Sequence, residues 1–133
     1  MKILMLGLCV VVCLFACKRS SDYKAYLHNP ELFSQTVHQL NSVVMGNNFS
    51  PIVAGRNYLY ASVAAYEVIA AGYPEKYNSL AGQLNGLKEL PKADTAKKID
   101  YDFAALLAFC KLGEAVTFPA GSMQEYTDSL KKM

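Results

Sequence analysis

The stretch from Phe49 to Gly72 constrains the fold most, because it predicts one long helix with almost no polar face. Ser50 is a good N-cap residue, Pro51 suits the first helical position, and Gly72 suits a left-handed stop. The plainly polar side chains between these ends are Arg56, Asn57, Ser62 and Glu67. Neither face of such a helix is suited to water. We therefore expect it to be the buried centre of an all-α helical bundle.

The N-terminus has the sequence pattern of a secretion signal. After Lys2, residues 3–16 form an unbroken run of apolar residues and glycine, which is too short to span a bilayer. This pattern predicts a signal peptide over residues 1–16. The segment Leu14-Phe15-Ala16-Cys17 resembles the lipobox of bacterial lipoproteins, which implies cleavage before Cys17 and acylation of its sulfur and its new amine. Two acyl anchors give stable membrane attachment. The alternative is an ordinary soluble secreted protein.

The residues after the lipobox bear on location. Residues 17–29 are polar with interspersed tyrosines, which is typical of a tether between a membrane and a fold. Lys18 stands where an Asp often retains lipoproteins at the inner membrane. We therefore expect a lipid-anchored protein of the bacterial cell envelope, with the outer membrane favoured over the inner membrane.

The four cysteines do not predict a disulfide. If the signal peptide is removed with Cys9 and Cys13 and Cys17 is acylated as expected, Cys110 remains by itself in an oxidising compartment. Cys110 lies in an apolar helical run and is expected to be an inert core residue. A reactive thiol is the alternative.

Charge argues against a nucleic-acid partner. The formal net charge is +2, and the basic residues are scattered rather than gathered into a stripe or patch. The lysine pairs at residues 97–98 and 131–132 are expected to be solvated edges of amphipathic helices.

Residues 30–133 are predicted to form further helices. Asn29, Pro30 and Glu31 start a helix that ends at Gly46. Its apolar stripe is Phe33, Val37, Leu40 and Val44. A shorter helical piece is expected after Pro74, with apolar residues Tyr77, Leu80, Leu84 and Leu87.

Two more helices complete the prediction. Asp94 is expected to cap a helix that runs to about Val116. Its inner face is Ile99, Phe103, Leu106, Leu107 and Cys110. Ser122 and Glu125 match a capping box that opens a last helix. The apolar face of that helix is Tyr126, Leu130 and Met133. The sequence contains no internal repeat and no alternating pattern long enough for a strand.

The segments from Phe49 to Pro91 and from Phe118 to Tyr126 carry a resemblance to a family. They resemble the N-terminal part of secreted bacterial proteins of the vanadium-dependent haloperoxidase and type-2 phosphatidic acid phosphatase superfamily. The pattern Arg-Asn-Tyr followed by Ala-Ala-Tyr-Glu, in a helix rich in small residues, carries most of it. The resemblance implies an all-α bundle built to hold vanadate or phosphate, of which residues 30–133 would be the N-terminal portion.

The family's chemistry lies beyond these segments. The resemblance implies an oxyanion site made from a Lys and Arg pair, a Pro-Ser-Gly-His segment and a final Arg and His. In a haloperoxidase the bound vanadate activates peroxide to oxidise halide; in the phosphatases a His attacks phosphorus. This sequence has two arginines, Arg19 and Arg56, two histidines, His28 and His38, and no Pro-Ser-Gly-His. No catalytic, cofactor-binding or metal-binding residue is therefore carried over, and halide oxidation and phosphate ester hydrolysis both remain open for the whole protein.

Two expectations and one alternative follow for the chain taken alone. It is expected to be inactive, as an N-terminal fragment or remnant of such an enzyme. Missing C-terminal helices, or self-association, are expected to cover the long helix. The alternative, from another class of function, is a small non-catalytic helical lipoprotein that serves as a binding or structural module in the envelope.

Arg56 and Glu67 are the charged residues of interest within the long helix. They are eleven residues apart, so they lie on nearly the same face. Both are expected to be buried, each with a partner from another helix, because buried charges without partners are costly. One interpretation is that they brace the oxyanion cavity from behind the residues that touch it. The favoured interpretation is structural pairing that sets helix register.

The histidines and tyrosines have plain interpretations. Neither His28 nor His38 has further ligands at a spacing that would form a metal site. The nine tyrosines could form a carbohydrate-stacking surface, but their helical spacing favours core positions.

Overall fold

The computed structural model describes residues 23–27, 29–94 and 96–133, and this part of the chain is helical with no strand. Its helices are α1 (Tyr23–Leu27), α2 (Pro30–Gly46), α3 (Pro51–Gly72), α4 (Tyr101–Ala115) and α5 (Gln124–Lys131). The all-α prediction is confirmed. The predicted signal peptide, Cys17 and His28 lie outside the described residues. None of the helices in the described ranges is both long enough and apolar enough to cross a membrane.

Helix α2 begins as its sequence predicts. The Asn29 side chain accepts a hydrogen bond from the Glu31 backbone N–H at 3.0 Å, and Pro30 is the first helical residue. The buried face consists of Leu32, Thr36, Leu40 and Val44. The predicted stripe is therefore wrong at Phe33, which is 47% exposed.

Thr36 sits in the core because its hydroxyl finds two partners. Its Oγ1 donates to the Leu32 carbonyl at 2.8 Å and lies 2.8 Å from the Tyr126 hydroxyl, which belongs to α5. A buried hydroxyl without such partners would be costly. A polar residue thus takes a core position of α2 and ties it to α5.

Helix α3 has the predicted bounds but different ends. Ser50 makes no side-chain capping bond, and Gly72 is the last helical residue rather than a left-handed one. The reason for a glycine there is space, because a Cβ at position 72 would collide with the Tyr101 ring. The tight approach of Gly72 to Tyr101 fixes where α4 starts against the end of α3.

The packing of α3 is one-sided within the described chain. The α3–α4 pair is the main helix–helix contact, and the buried residues of α3 are Asn57, Ala61, Ala65, Glu67 and Ala70. On the other side Ile52 is 78% exposed and Leu59 is 55% exposed. The described residues therefore do not enclose α3 on all sides, and the expectation that further helices or self-association cover it stays a prediction.

Helix α4 starts later than its sequence predicts. Asp100, not Asp94, is the cap, and its carboxylate accepts from the Phe103 N–H at 3.1 Å. Asp94 instead accepts from the Ala96 N–H in a local turn. The buried residues are Ala105, Leu106, Phe109, Cys110 and Gly113. The predicted inner face is confirmed at Leu106 and Cys110, whereas its other members are half-buried.

The segment between α3 and α4 is not helical, so the predicted short helix from Tyr77 to Leu87 is wrong. Gly82 and Gly86 have φ values of +76° and +87°, which break any helix there. The Gly82 N–H instead donates to the Leu87 carbonyl at 3.1 Å, which closes a compact turn. Apolar residues at helical spacing therefore line a loop.

Helix α5 is not opened by the predicted capping box. Met123 is the residue before the helix, and no side chain caps it. Ser122 lies 2.9 Å from the Thr117 hydroxyl instead, so it has no capping contact with Glu125. Leu130 is buried as predicted, while Met133 is 45% exposed.

Candidate functional site

An apolar groove of about 910 Å³ lies beside α3. One wall is the open side of α3, the second is the loop that follows residue 83, and the floor is α4. The α3 wall consists of Leu59, Tyr60, Val63, Ala64, Glu67, Val68 and Ala71. The loop wall consists of Leu84, Asn85, Gly86, Leu87, Leu90, Pro91 and Ala93. The floor consists of Ile99, Tyr101, Ala104 and Leu112.

Glu67 is the charged side chain of this groove and is only 5% exposed. Its Oε2 accepts from the Ser79 hydroxyl at 2.7 Å, and its Oε1 accepts from the Leu80 backbone N–H at 2.6 Å. An ionised carboxylate accepts such bonds at both oxygens. Glu67 therefore fastens the loop to α3 through two neutral donors.

Further contacts hold the same loop against α3. The Tyr66 hydroxyl donates to the Asn78 carbonyl at 3.0 Å, and the Tyr66 and Tyr77 rings meet edge to face with centroids 6.3 Å apart. Gln83 donates to the Ser79 carbonyl at 2.6 Å. These side-chain contacts hold the loop in place beside α3, although the loop itself contains no helix.

Arg56 lies elsewhere than its sequence predicts. It is exposed and forms no ion pair with a described residue, so the expectation that it is buried is wrong. Glu67 is buried as expected, but its partners come from a loop rather than from another helix. Arg56 is exposed because α4 packs on the opposite side of α3. The structure therefore buries Glu67 and exposes Arg56, although the sequence predicts that both are buried.

Tyr73 and Asp102 form a polar contact that the sequence pattern does not signal. The Tyr73 hydroxyl donates to the Asp102 carboxylate at 3.2 Å, at the edge of a cleft of about 390 Å³. The Asp102 charge, followed by burial, raises the pKa of Tyr73. The phenol therefore stays protonated at neutral pH and acts as a hydrogen-bond donor between the end of α3 and the start of α4.

Cys110 is buried in the core, as expected. Burial raises the pKa of its thiol, while a hydrogen bond with Thr127 opposes the shift. A protonated, enclosed thiol is a poor nucleophile and a poor metal ligand. Cys110 is thus a packing residue.

Metal-ligating side chains are dispersed in the described part of the chain. His38 lies exposed on α2, and no group of three or more His, Cys, Asp or Glu residues in the described ranges could hold a metal ion. No histidine or arginine of those residues lines the groove.

Comparison with known proteins bears on the fold. The chain is similar to a solved crystal structure of a bacterial vanadium-dependent iodoperoxidase, with 41% sequence identity, a TM-score of 0.72 and coverage of 77% of this chain. The match covers 25% of that protein, so the chain spans about a quarter of its length. No family model matches the chain, and no curated protein matches it. The similarity supports a haloperoxidase-like fold for the helical part of the chain.

Proposed function

We propose that residues 30–133 are the N-terminal helical part of a vanadium-dependent haloperoxidase-like protein. The similarity to the iodoperoxidase, at 41% identity with a TM-score of 0.72, is the observation that carries the proposal. An identity of this size is well above the level at which only the fold is shared. The role we assign to the segment is structural: it supplies the α3–α4 pair of a larger bundle.

The described residues do not fit vanadate, so we place the oxyanion site outside this segment. A trianionic oxyanion needs several fixed cationic donors and a histidine. Arg56 is exposed on α3, and His38 is exposed on α2. Among the described residues, neither side chain lines a groove or cleft together with a second cationic side chain. We therefore derive no catalytic step from this chain and expect vanadate to bind only when the rest of such a protein is present.

The experiment compares the 133-residue chain with the product of the whole gene. Oxidation of iodide by hydrogen peroxide is followed as triiodide absorbance, with and without added vanadate, and vanadate binding is measured by ⁵¹V NMR. We expect no turnover and no vanadate binding by the 133-residue chain, and both by the longer product. Turnover by the 133-residue chain would contradict our placement of the site. A gene product that ends at Met133 and forms a stable monomer would favour the helical lipoprotein instead.

The proposed location rests on the sequence around Cys17. We infer that Cys17 carries the lipid and that residues 18–29 link it to the helices, with the outer membrane as the destination. Metabolic labelling with a fatty-acid analogue tests the anchor, because C17A should abolish labelling while C110A should not. Sucrose-gradient fractionation tests the destination: K18D should move the protein to the inner membrane. Labelling that persists in C17A would exclude this anchor.

A further inference from the structure

The cleft of about 390 Å³ lies at the end of the bundle that the tether joins. Tyr23, the first residue of α1, follows Cys17 by six residues, so even a fully extended chain keeps the two within about 20 Å. The cleft is lined by α1, by the residue after α3 and by the start of α4. A lipid on Cys17 therefore places this end of the bundle beside the membrane.

The opposite end of the bundle is defined by contacts that involve the residues after α2 and α4. Asn47 is hydrogen-bonded to the Phe118 backbone, and Asn57 of α3 donates to the Val116 carbonyl at 3.0 Å. The 15 residues of α4 span about 22 Å between the two ends. Phe118 is 66% exposed and thus marks the end that lies away from the cleft.

The cleft carries charges of both signs. Lys24 of α1 and Lys98 line it, and neither forms an ion pair with a described residue. Asp100 and Asp102 supply the negative charges. Asp100 accepts one hydrogen bond, from the Phe103 N–H, and a carboxylate can accept more than one. The cleft can therefore contact an anionic group and a cationic group of the same ligand.

Tyrosine rings accompany these charges. Tyr73 and Tyr101 line the cleft with ring centroids 6.4 Å apart, and Tyr23 lines it from α1. Tyr23 is 45% exposed, and Tyr26, three residues further along α1, is 43% exposed. Tyrosine is enriched where a protein meets lipid headgroups, because its ring is apolar and its hydroxyl is polar. The face of such a ring also attracts an ammonium group.

We propose that this cleft binds the zwitterionic headgroup of a phospholipid in the membrane that holds Cys17. Lys24 and Lys98 pair with the headgroup phosphate, and Asp100 and the tyrosine rings receive its ammonium group. The occupant is a membrane lipid because the anchor holds the cleft where headgroups are concentrated. The inference rests on the lipid anchor proposed at Cys17 and adds an orientation to it, in which α1 lies against the headgroups and Phe118 lies away from them.

Fluorescence quenching tests the orientation in the acylated full chain. The sequence has no tryptophan, so a single introduced indole reports on one position. Y23W is placed in vesicles of phosphatidylethanolamine and phosphatidylcholine, the latter brominated near the top of its acyl chains, because bromine quenches indole emission at short range. We expect Y23W to lose most of its emission. F118W is the matched control at the other end of the bundle and should lose little.

Charge reversal separates headgroup binding from tethering. A tether alone keeps position 23 near the membrane whatever the charge at positions 24 and 98. We expect K24E and K98E together to remove most of the quenching of Y23W, because two carboxylates then face the phosphate. Both lysines are exposed, so their reversal does not disturb the core. K111E is the control, since Lys111 is exposed on α4 and lies outside the cleft; it should leave the quenching unchanged. Brominated phosphatidylglycerol, which has no ammonium group, should quench Y23W less.

Three results would overturn the inference. Equal quenching of Y23W and F118W would exclude the orientation. Quenching that survives K24E and K98E together would exclude the pairing with phosphate, and equal quenching by phosphatidylglycerol would exclude the zwitterionic ligand. Fatty-acid labelling of the same samples separates this inference from the proposed anchor: labelled protein without quenching overturns the headgroup site only, whereas wild-type protein without label overturns the anchor and the headgroup site with it.

Discussion

The Glu67 carboxylate accepts a hydrogen bond from the Ser79 hydroxyl at 2.7 Å. This bond joins α3 to the loop that follows it, a segment whose apolar residues are spaced as in a helix. The bond lies a few residues before Leu84, where the loop begins to form the second wall of the groove. A buried carboxylate on a helix thus determines the course of a segment without regular structure.

Removing the Ser79 hydroxyl should loosen the groove wall. We expect S79A to lower the free energy of unfolding by roughly 1–3 kcal/mol, because it removes both the bond to Glu67 and the bond that Ser79 Oγ accepts from the Ala81 N–H. Amide exchange at Leu80 should become faster. In a double-mutant cycle, S79A and E67Q should show coupling, because the two side chains are in contact. S34A is the control, since Ser34 is exposed on α2 and its loss should change stability by less than about 0.5 kcal/mol.

Adding a methyl group between α2 and α4 should be destabilising. Gly113 is buried, and a Cβ built there would lie 2.9 Å from the Leu40 side chain, which is fully buried. We expect G113A to cost roughly 1–3 kcal/mol by overpacking. Gly55 in α3 offers the matched control, because nothing lies within 4 Å of its Cβ position. G55A should stabilise the helix by roughly 0.5–1 kcal/mol. Equal effects of the two changes in urea unfolding would refute this account of the α2–α4 contact.

The Asn47 side chain should be important for the turn before α5. Its amide nitrogen donates to the Phe118 carbonyl at 2.6 Å, and its Oδ1 accepts from the Phe118 N–H at 2.7 Å. We expect N47A to lower stability by roughly 1–3 kcal/mol, because both bonds are lost. N47D keeps an acceptor for the Phe118 N–H, so its loss should be smaller. The prediction fails if Phe118 amide exchange is the same in wild type, N47A and N47D.

Alkaline pH should destabilise the fold through Cys110. Because burial raises the pKa of this thiol in the folded state, its contribution to stability is complete below the ordinary thiol pKa and is lost as the pH rises through the folded pKa. We expect the free energy of unfolding to fall above about pH 8.5, with a slope of up to about 1.4 kcal/mol per pH unit from this group. C110A should remove that part of the slope, although its stability at neutral pH will be lower. Parallel curves for wild type and C110A would show that the thiol does not contribute.

The bounds of some helices could be predicted from the sequence, whereas the start of α4 could not. The bounds of α2 and α3 were predictable because Asn29, Pro30 and Pro51 act on their own backbone and the turn beside them. The start of α4 was not predictable, because Asp94 and Asp100 are both suitable N-cap residues. Asp100 is the cap in the structure, next to Tyr101, whose ring packs against Gly72.

The candidate site was only partly predictable. The sequence singles out Glu67 as a buried charge within an apolar helix, and the structure confirms its burial. The sequence does not show that Arg56 is exposed, because helical spacing places the two residues on one face without saying what covers each end of it. Nor does it reveal that the residues after Gly82 line a groove, since the same apolar spacing is compatible with a helix.

Local sequence patterns were sufficient to predict that this protein is built from helices, where α2 and α3 run, and that α3 carries few polar residues. These properties depend on capping, proline and periodicity, which act within a few residues of one another. The tertiary structure decided which side of α3 is covered, that the loop after it is fastened through Glu67, and that a groove remains open beside it. Burial and pairing depend on segments that are distant in the chain, so local patterns cannot specify them.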